Sequence, residues 1–336
     1  MFPYMTLIIS VGSITAVGVI LAVLMVIADA TIANYGEVKI TINGEKEYTV
    51  EGGRPLLQTL SSEQIFIPSA CGGRGSCGLC KVKAVEGFGQ YLPTELPWIS
   101  EEEMQDNIRL SCQIKVKNDL KIEIPEELFN VKEFTGTVER IRDLTHDIKE
   151  VTVKLIEPKE IDMTAGQFIQ LQTPPYELTD EPVYRAYSMS NPPSDKTRIE
   201  VEIRLVPNGI CTTYVHQYLQ EGEEITFNGP YGDFYLRDTD REIFMIAGGS
   251  GNAPIKAILL DMVDKGINRK TKYFFGARSK RDLFLVEEMR ELEKKLPDFT
   301  YIPALSDPQP EDEWDGETGL ITDVLDKYLE NGDNKE

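Results

Sequence analysis

The chain has 336 residues and a formal net charge of −21, and hydrophobic side chains make up 41% of it. This length leaves room for about two or three domains. The acidic excess and the absence of any lysine- or arginine-rich block argue against nucleic acid as a partner and against any broad docking on anionic lipid. The five cysteines do not suggest a secreted disulfide framework, so they fit a reducing compartment.

The N-terminal segment is apolar. The first 28 residues carry no charged side chain, and Met5 to Ala28 is an almost unbroken apolar run. As a helix, this run is long enough to cross the roughly 30 Å core of a bilayer. A signal peptide is the alternative, because Ala28-Asp29-Ala30 resembles a cleavage site, but no basic segment precedes the run and the run is longer than usual. We therefore predict a transmembrane anchor over residues 1–30.

Four cysteines form the most distinctive pattern. Cys71, Cys77 and Cys80 share a glycine-rich loop as C-x5-C-x2-C, and Cys112 follows in "RLSCQIKV". Two irons bridged by sulfide need four thiolate ligands, and glycine allows the left-handed backbone that turns amides toward the sulfurs. The long gap to Cys112 argues against a zinc knuckle, although a structural zinc site or a chance cluster are the alternatives. The pattern favours a [2Fe–2S] cluster.

The spacing of apolar residues divides the rest of the chain into three domains. A hairpin with the turn Asn43-Gly44 and a short helix opened by Pro55 predict a β-grasp ferredoxin domain over 36–130. Short strands separated by turn residues predict an antiparallel β-barrel over 131–238.

From 239 to 336, buried strands alternate with helices, among them "DLFLVEEMRELEKKL", which predicts an α/β domain with a parallel sheet. Only about three strand–helix units are visible, where a doubly wound nucleotide domain normally has five or six strands. Either the fold is unusually small or the chain stops early, and we expect this domain to be incomplete.

Two segments of the barrel domain predict a flavin site. On one strand, Arg185 suits a diphosphate because its donors form a fork, Tyr187 would face the ribityl chain or the isoalloxazine, and Ser188 would face flavin N5. Tyr187 and Ser188 are therefore the candidate catalytic residues, although an exposed strand with an ion pair is the alternative for this segment alone. The segment 209–213 opens a helix whose free N–H groups can hold the same pyrophosphate. The candidate FAD-binding residues are Arg185, Tyr187, Ser188, Gly209, Thr212 and Thr213.

A glycine turn predicts a nucleotide site in the last domain. The segment 248–254, "GGSGNAP", follows a buried strand and precedes a helix, as a phosphate-binding turn does. A tight turn without a ligand is the alternative. After the next strand, "GARSKRD" places basic residues where an adenosine ribose would lie; they could hold a 2′-phosphate or cover a helix start, so NADH and NADPH both stay open. The candidate residues are Gly248, Gly249, Gly251, Arg278 and Ser279.

Nearly the whole chain resembles the F subunits of the sodium-translocating NADH:quinone reductases. The resemblance rests on "SACGGRGSCGLCKVK", "LPTEL", "RLSCQ", "RAYSMSN", "GPYGDF", "GARSKR" and "ALSDPQPEDEWDGETG". It implies a membrane anchor, a [2Fe–2S] ferredoxin domain, and a module that binds FAD and NADH. By this resemblance the four cysteines ligate the cluster, and Asp307 joins the NADH site.

The resemblance also implies a function. The chain would be a single-pass protein of the inner (plasma) membrane with its bulk in the cytoplasm, passing electrons from NADH to FAD, to the cluster, and to membrane subunits that reduce quinone. A stand-alone reductase serving an oxygenase and a non-catalytic electron-transfer protein are the alternatives.

Three departures from the family pattern are visible. The segment before "RAYS" is shorter than in the family, and Asn252 stands where the family usually has Met. The family ends with a Cys-Gly-Pro-Pro turn and an aromatic segment that this sequence does not reach, so we expect the chain to lack the C-terminal end.

Overall fold

The structure is a computed structural model that describes residues 2–32 and 35–329, with side chains described at 11–26 and 35–329. Helix α1 spans Phe2–Ile32. Within the described part of the chain, no helix combines the length and the apolarity needed to cross a membrane. Backbone contacts divide the chain into two compact units, Met1–Ile67 with Gly73–Leu128, and Pro68–Gly72 with Phe129–Glu336.

The first unit contains a five-stranded mixed sheet with short helices beside it. Its elements are β1 (Glu37–Ile42), β2 (Lys46–Glu51), α2 (Leu56–Ser62), β3 (Lys81–Glu86), α3 (Glu101–Gln105), β4 (Ile108–Leu110) and β5 (Leu120–Glu123). The strand order is β2-β1-β5-β3-β4, and β1 pairs with β5 in parallel. The alternation of β1 buries Val38, Ile40 and Ile42, as a half-buried strand requires.

Local signals in this unit are largely confirmed. The predicted hairpin forms, with Asn43 and Gly44 both at positive φ (52° and 73°), which matches the twist of the flanking strands. Pro55 was expected to be the first residue of the short helix, and this position is wrong by one residue. Pro55 lies just before α2 with extended backbone, because it bridges to Lys115 across the sheet edge.

The second unit begins with the predicted antiparallel barrel. Its elements are β6 (Lys132–Asp143), β7 (Ile148–Glu157), β8 (Phe168–Thr173), β9 (Val183–Ser188), β10 (Arg198–Arg204), α4 (Ile210–Gln217) and β11 (Glu224–Tyr231). The sheet order is β10-β7-β6-β11-β8-β9, and a bridge between Met189 and Val201 joins its two ends. The strands enclose a core that includes Val151, Val153 and Phe227, each buried. Closure of this kind protects the strand edges from pairing with other chains.

A parallel sheet flanked by helices completes the second unit. Its elements are β12 (Ile243–Gly248), α5 (Asn252–Lys265), β13 (Thr271–Ala277), α6 (Val286–Lys295), β14 (Phe299–Leu305), β15 (Glu317–Thr318) and α7 (Ile321–Asp326). The order β12-β13-β14-β15 confirms the α/β prediction, but the count of three strands missed the two-residue β15. Gly266 ends α5 with a left-handed backbone at φ 63°. Helix α6 starts later than predicted, because Leu285 takes a left-handed backbone.

Candidate cofactor and nucleotide sites

The loop between α2 and β3 depends on glycine. Gly73, Gly75 and Gly78 have φ of +84°, +70° and +68°, a region that other residues rarely adopt. A Cβ at Gly75 would lie 2.5 Å from Nε2 of Gln113, and one at Gly78 would lie 3.1 Å from Trp98. The loop therefore follows a tight path beside the residue that comes after Cys112.

Cys80 and Cys112 are brought together in the first unit. The backbone N–H and the hydroxyl of Ser111 both donate to the carbonyl of Cys80, at 2.8 and 2.9 Å. The two thiols are hydrogen-bonded, which is the main reason that the pKa of Cys112 falls to about 6 and that of Cys80 rises. Gln113 adds an amide donor 3.4 Å from Sγ of Cys112. This corner of the fold stabilises a thiolate, the form that binds iron.

The remaining predicted ligands lie on the same loop in sequence. Cys77 belongs to the first unit, whereas Cys71 lies in the segment Pro68–Gly72, which groups with the second unit. Among the described residues, no three His, Cys, Asp or Glu side chains are gathered as a metal site. The donor chemistry fits an iron–sulfur cluster nonetheless, because two thiols touch, one is acidic, and the loop backbone is built from left-handed glycines.

A buried ion pair, which the sequence analysis missed, holds β4, the strand that leads to Cys112. Arg109 Nη2 lies 2.7 Å from Oε2 of Glu95, and the side chains are only 6% and 0% exposed. Glu95 also accepts hydrogen bonds from the backbone of Leu92 and Leu110. Burial by itself would raise the pKa of Glu95, but these donors outweigh it and the pKa is lowered. The signal was present in "LPTEL" and "RLSCQ", which contain the two partners.

The predicted flavin segments are adjacent in the second unit. Strand β9 carries Arg185, Tyr187 and Ser188, and every residue of this strand is half-buried. The thiol of Cys211 in the first turn of α4 lies 3.5 Å from the carbonyl of Val183, which holds the start of α4 against β9. Burial raises the pKa of Tyr187, so its hydroxyl stays protonated. A half-exposed strand beside a helix start fits a flavin that covers both.

The first turn of α4 contains two threonines, Thr212 and Thr213. The oxygen of Thr212 accepts a hydrogen bond from Val206 N–H at 3.1 Å, so it orders the turn that leads into α4. Gly209 permits this approach, because a Cβ there would lie 2.5 Å from the same oxygen. Thr213 is buried at 9% exposure. The leading N–H groups of a helix have no acceptor within the helix itself, so a helix start suits an anion.

The segment Pro68–Gly72 packs on the strands of the barrel. The N–H of Ser69 donates to Oε1 of Gln170 on β8 at 2.8 Å, and Gln170 is held in turn by Asn228 at 3.0 Å. A Cβ at Gly72 would lie 2.7 Å from the backbone carbonyl of Tyr184, and Gly72 has φ of +64°, so this position beside β9 favours glycine. The guanidinium of Arg185 therefore lies beside Gly72, where Nη1 donates to the carbonyl of Tyr184 at 2.7 Å.

A cleft of about 530 Å³ lies at the carboxyl ends of β12 and β13. Its walls include Gly248, Gly249, Gly276, Arg278 and Arg281. A Cβ at Gly248 would lie 2.9 Å from the carbonyl of Gly276, and Gly249 has φ of +55°. These glycines let a ligand approach the backbone, so the cleft fits a nucleotide phosphate.

Of the other predicted nucleotide residues, only Arg278 lines this cleft. Arg278 pairs with Asp307 at 3.2 Å, and both side chains are largely exposed. The hydroxyl of Ser279 donates to Asp282 at 2.8 Å in a capping box, so it is already engaged. Gly251 does not line the cleft; it precedes α5. Asp307 is connected to the cleft through its ion pair with Arg278.

A buried charge network, also missed by the sequence analysis, joins α5 to the barrel. Nζ of Lys256 lies 3.1 Å from Glu150 on β7 and 2.8 Å from Glu200 on β10, and Arg140 reaches Glu150 at 3.0 Å. Burial by itself would lower the pKa of Lys256, but the carboxylates of Glu200 and Glu150 outweigh it and the pKa is raised. Because α5 begins at the glycine turn, this network fixes the turn relative to the barrel.

A buried carboxyl explains the asparagine that departs from the family pattern. Nδ2 of Asn252 donates to Glu202 at 2.8 Å, and its Oδ1 accepts from the hydroxyl of Tyr273 at 2.8 Å. Burial raises the pKa of Glu202 to about 8, so this acid is mostly protonated at neutral pH. An amide is the side chain that can satisfy a buried acid and a buried phenol at once.

Three family models match the chain in order. A 2Fe-2S iron-sulfur cluster binding domain matches residues 40–117, an oxidoreductase FAD-binding domain matches 135–235, and an oxidoreductase NAD-binding domain matches 245–336. Each model coincides with the region where the corresponding residues were found.

Curated relatives align along nearly the full length. The F subunit of the Na(+)-translocating NADH-quinone reductase of Neisseria meningitidis is 38% identical, over 97% of this chain and 90% of the relative. The corresponding protein of Actinobacillus succinogenes is 38% identical, over 96% and 88%.

Solved structures share the fold. The Amycolatopsis cytochrome P450 reductase GcoB superposes with a TM-score of 0.69 at 24% identity, covering 89% of each chain. The ferredoxin reductase in carbazole 1,9a-dioxygenase gives a TM-score of 0.64 at 25% identity, covering 87% of this chain and 86% of the other.

Proposed function

The chain belongs to the family of Na(+)-translocating NADH-quinone reductase F subunits, and from this premise we propose that it is the electron-input component of such a reductase. The observation that carries the proposal is the order of three sites along one chain. A glycine-built cysteine loop, a half-exposed strand beside a helix start, and a glycine-lined cleft follow each other within the three matching domains.

When bound, NADH would supply a hydride, FAD would accept it as an electron pair, and a [2Fe–2S] cluster would pass electrons singly toward quinone. The residues of the chain bind and orient these groups. Gly248 and Gly249, which line the cleft, would hold the NADH phosphates, and Arg278, which lines it and pairs with Asp307, would meet the ribose.

The flavin would be held by the barrel domain. Arg185 and the first turn of α4, from Gly209 to Thr213, bind its pyrophosphate. Tyr187 and Ser188 on β9 meet its ring and ribityl chain, and the protonated hydroxyl of Tyr187 can only donate or accept hydrogen bonds there. The cluster would be ligated by Cys71, Cys77, Cys80 and Cys112.

A membrane anchor over residues 1–30 is part of the proposal, with the bulk of the chain in the cytoplasm at the inner membrane. Its support is the uncharged N-terminal sequence and the exposure of large apolar side chains on more than one side of α1, such as Ile14 (74%), Ile20 (59%) and Met25 (74%). Exposed apolar side chains around a helix are stable in lipid and unfavourable in water.

A deletion and complementation experiment tests this function. Inverted vesicles from cells that lack the chain should lose sodium-stimulated NADH:quinone reduction, and the intact gene should restore it. A variant without residues 1–30 should retain NADH oxidation by soluble acceptors and fail to restore quinone reduction. Unchanged quinone reduction in the deletion strain would contradict the proposal.

A stand-alone reductase serving an oxygenase is the second candidate. It is favoured by the short connection between β8 and β9, where the family resemblance leads one to expect an insertion. In that case the purified chain should reduce a soluble oxygenase component at the same rate with or without membranes.

A further inference from the structure

We propose that the exposed apolar side chains of Leu79, Leu92, Leu96 and Trp98 form the surface on which the electron acceptor docks, and that this acceptor is a protein with an apolar centre and a basic rim. The inference rests on the proposed function, because it names the partner surface of the same electron path. We call these four side chains the cluster-side patch.

The patch is concentrated beside the predicted cluster ligands. Outside α1, the described part of the first unit exposes five large apolar side chains, and four of them are in the patch. Leu79 lies between Cys77 and Cys80 in sequence, and Trp98 packs where a Cβ of Gly78 would lie 3.1 Å away. Exposed apolar groups gathered at one place mark an interaction site more often than scattered ones do.

The segment 92–98 is held by hydrogen bonds to Glu95 although its apolar side chains face solvent. The buried carboxylate of Glu95 accepts from the N–H of Leu92 at 2.9 Å, and the N–H of Trp98 donates to the carbonyl of Glu95 at 2.9 Å. Moving this segment would break the hydrogen bonds and the ion pair of the buried Glu95 carboxylate, which is costly. Ordering the segment in advance lowers the entropy lost when a partner binds.

The patch segment is also connected to a cluster ligand. The hydroxyl of Thr94 donates to Oε1 of Gln113 at 2.8 Å, and the amide of Gln113 donates to Sγ of Cys112 at 3.4 Å. A partner seated on this segment would therefore lie close to Cys112, one of the residues that would hold the cluster.

Charge selects the partner. Glu101, Glu102 and Glu103 form the first turn of α3, directly after the patch segment, and Lys81 holds Glu103 at 2.5 Å, beside Cys80. An acidic rim of this kind repels anionic lipid headgroups and a second copy of a chain with net charge −21. It attracts a partner whose rim is basic, and speeds the encounter at low salt.

The experiment compares Leu96→Ser with Val85→Ser, since both side chains are exposed on the same unit (48% and 54%) and only Leu96 is in the patch. Full-length holoprotein is added to membrane vesicles from cells that lack this chain, with NADH and a short-chain quinone. Iron content and NADH reduction of the cluster, followed by EPR, should match the unmodified chain in both variants. Vesicle-dependent quinone reduction should fall about tenfold in Leu96→Ser alone.

A double variant, Glu101→Lys with Glu102→Lys, should lower the same rate at low salt and not at high salt. Normal quinone reduction by Leu96→Ser, or equal loss in Val85→Ser, would overturn the docking surface. If the unmodified chain reduces its cluster with NADH yet transfers nothing to the vesicles, the proposed function itself fails. Salt-independent association with lipid vesicles through the patch would assign the surface to lipid and also overturn the proposal.

Discussion

The cysteine loop and the nucleotide cleft are stabilised by ion pairs of opposite kinds. Glu95 and Arg109, beside the strand that leads to Cys112, are 0% and 6% exposed, whereas Arg278 and Asp307 at the cleft edge are 53% exposed or more. A buried pair is costly to disturb, while an exposed pair exchanges readily with water and ligands. The difference matches a resident cofactor at one site and a substrate that comes and goes at the other.

The largest expected effect is at the cysteine loop. Cys80→Ser keeps the shape of the side chain and removes a thiolate, so the purified protein should lose nearly all of its iron. Iron analysis and EPR of the reduced protein measure this. Cys211→Ser is the matched control, since Cys211 is equally buried but lies in α4. Equal iron in the two variants would exclude Cys80 as a ligand.

Glu95→Gln should destabilise the first unit by about 3 kcal/mol, because it leaves Arg109 buried without its counter-charge. Thermal unfolding of the holoprotein, compared with Glu103→Gln at the part-exposed pair with Lys81, measures the difference; the control should change by about 1 kcal/mol or less.

The pH dependence of the same residue has a defined sign. The folded pKa of Glu95 is lowered from 4.5, so its contribution is complete above that pH and is lost as the pH falls toward the folded value. The unmodified protein should therefore lose more stability on acidification than Glu95→Gln does. Parallel stability curves for the two proteins would contradict the account.

The nucleotide domain also contains a residue of a buried ion pair, Lys256, which contacts Glu150 of the barrel. Lys256→Met should slow NADH reduction of the flavin by roughly 10- to 100-fold, because α5 and its glycine turn would shift relative to the barrel. Stopped-flow flavin bleaching should show a lower limiting rate, with dithionite reduction unchanged and partial rescue by Lys256→Arg. Lys265→Met, on the exposed end of the same helix, is the control. Equal rates in both variants would remove the positioning role.

The smallest effect is expected at the exposed pair. Asp307→Asn frees Arg278 to meet a 2′-phosphate, so kcat/KM for NADPH should rise about tenfold while thermal stability stays within about 1 kcal/mol. Steady-state kinetics with NADPH and NADH measure this, with Asp315→Asn as a control for lost charge. An unchanged NADPH rate would show that Arg278 does not reach the ribose.

Local features of the fold could be predicted from the sequence. The Asn43-Gly44 turn and the barrel strands each depend on residues close together in the chain, so the local sequence was sufficient to predict them. The beginning of α6 was not predictable in this way, because the left-handed backbone of Leu285 follows from tertiary packing.

Long-range pairs were missed for a physical reason. Glu95 and Arg109 are fourteen residues apart, and each looks like an ordinary surface charge in its own segment. Lys256 and Glu150 come from different domains, and only the docking of α5 on β7 buries them. The candidate site residues were predicted from local motifs, whereas the residues that position them could not be.

The most direct test of the whole account is anaerobic titration of the purified holoprotein with NADH, followed by visible absorbance and EPR. We expect flavin absorbance to decrease and a reduced [2Fe–2S] EPR signal to appear with NADH alone. If dithionite reduces the cluster and NADH changes neither signal, the cofactors are present but the path from the nucleotide cleft is broken, and the proposed electron-input role is contradicted.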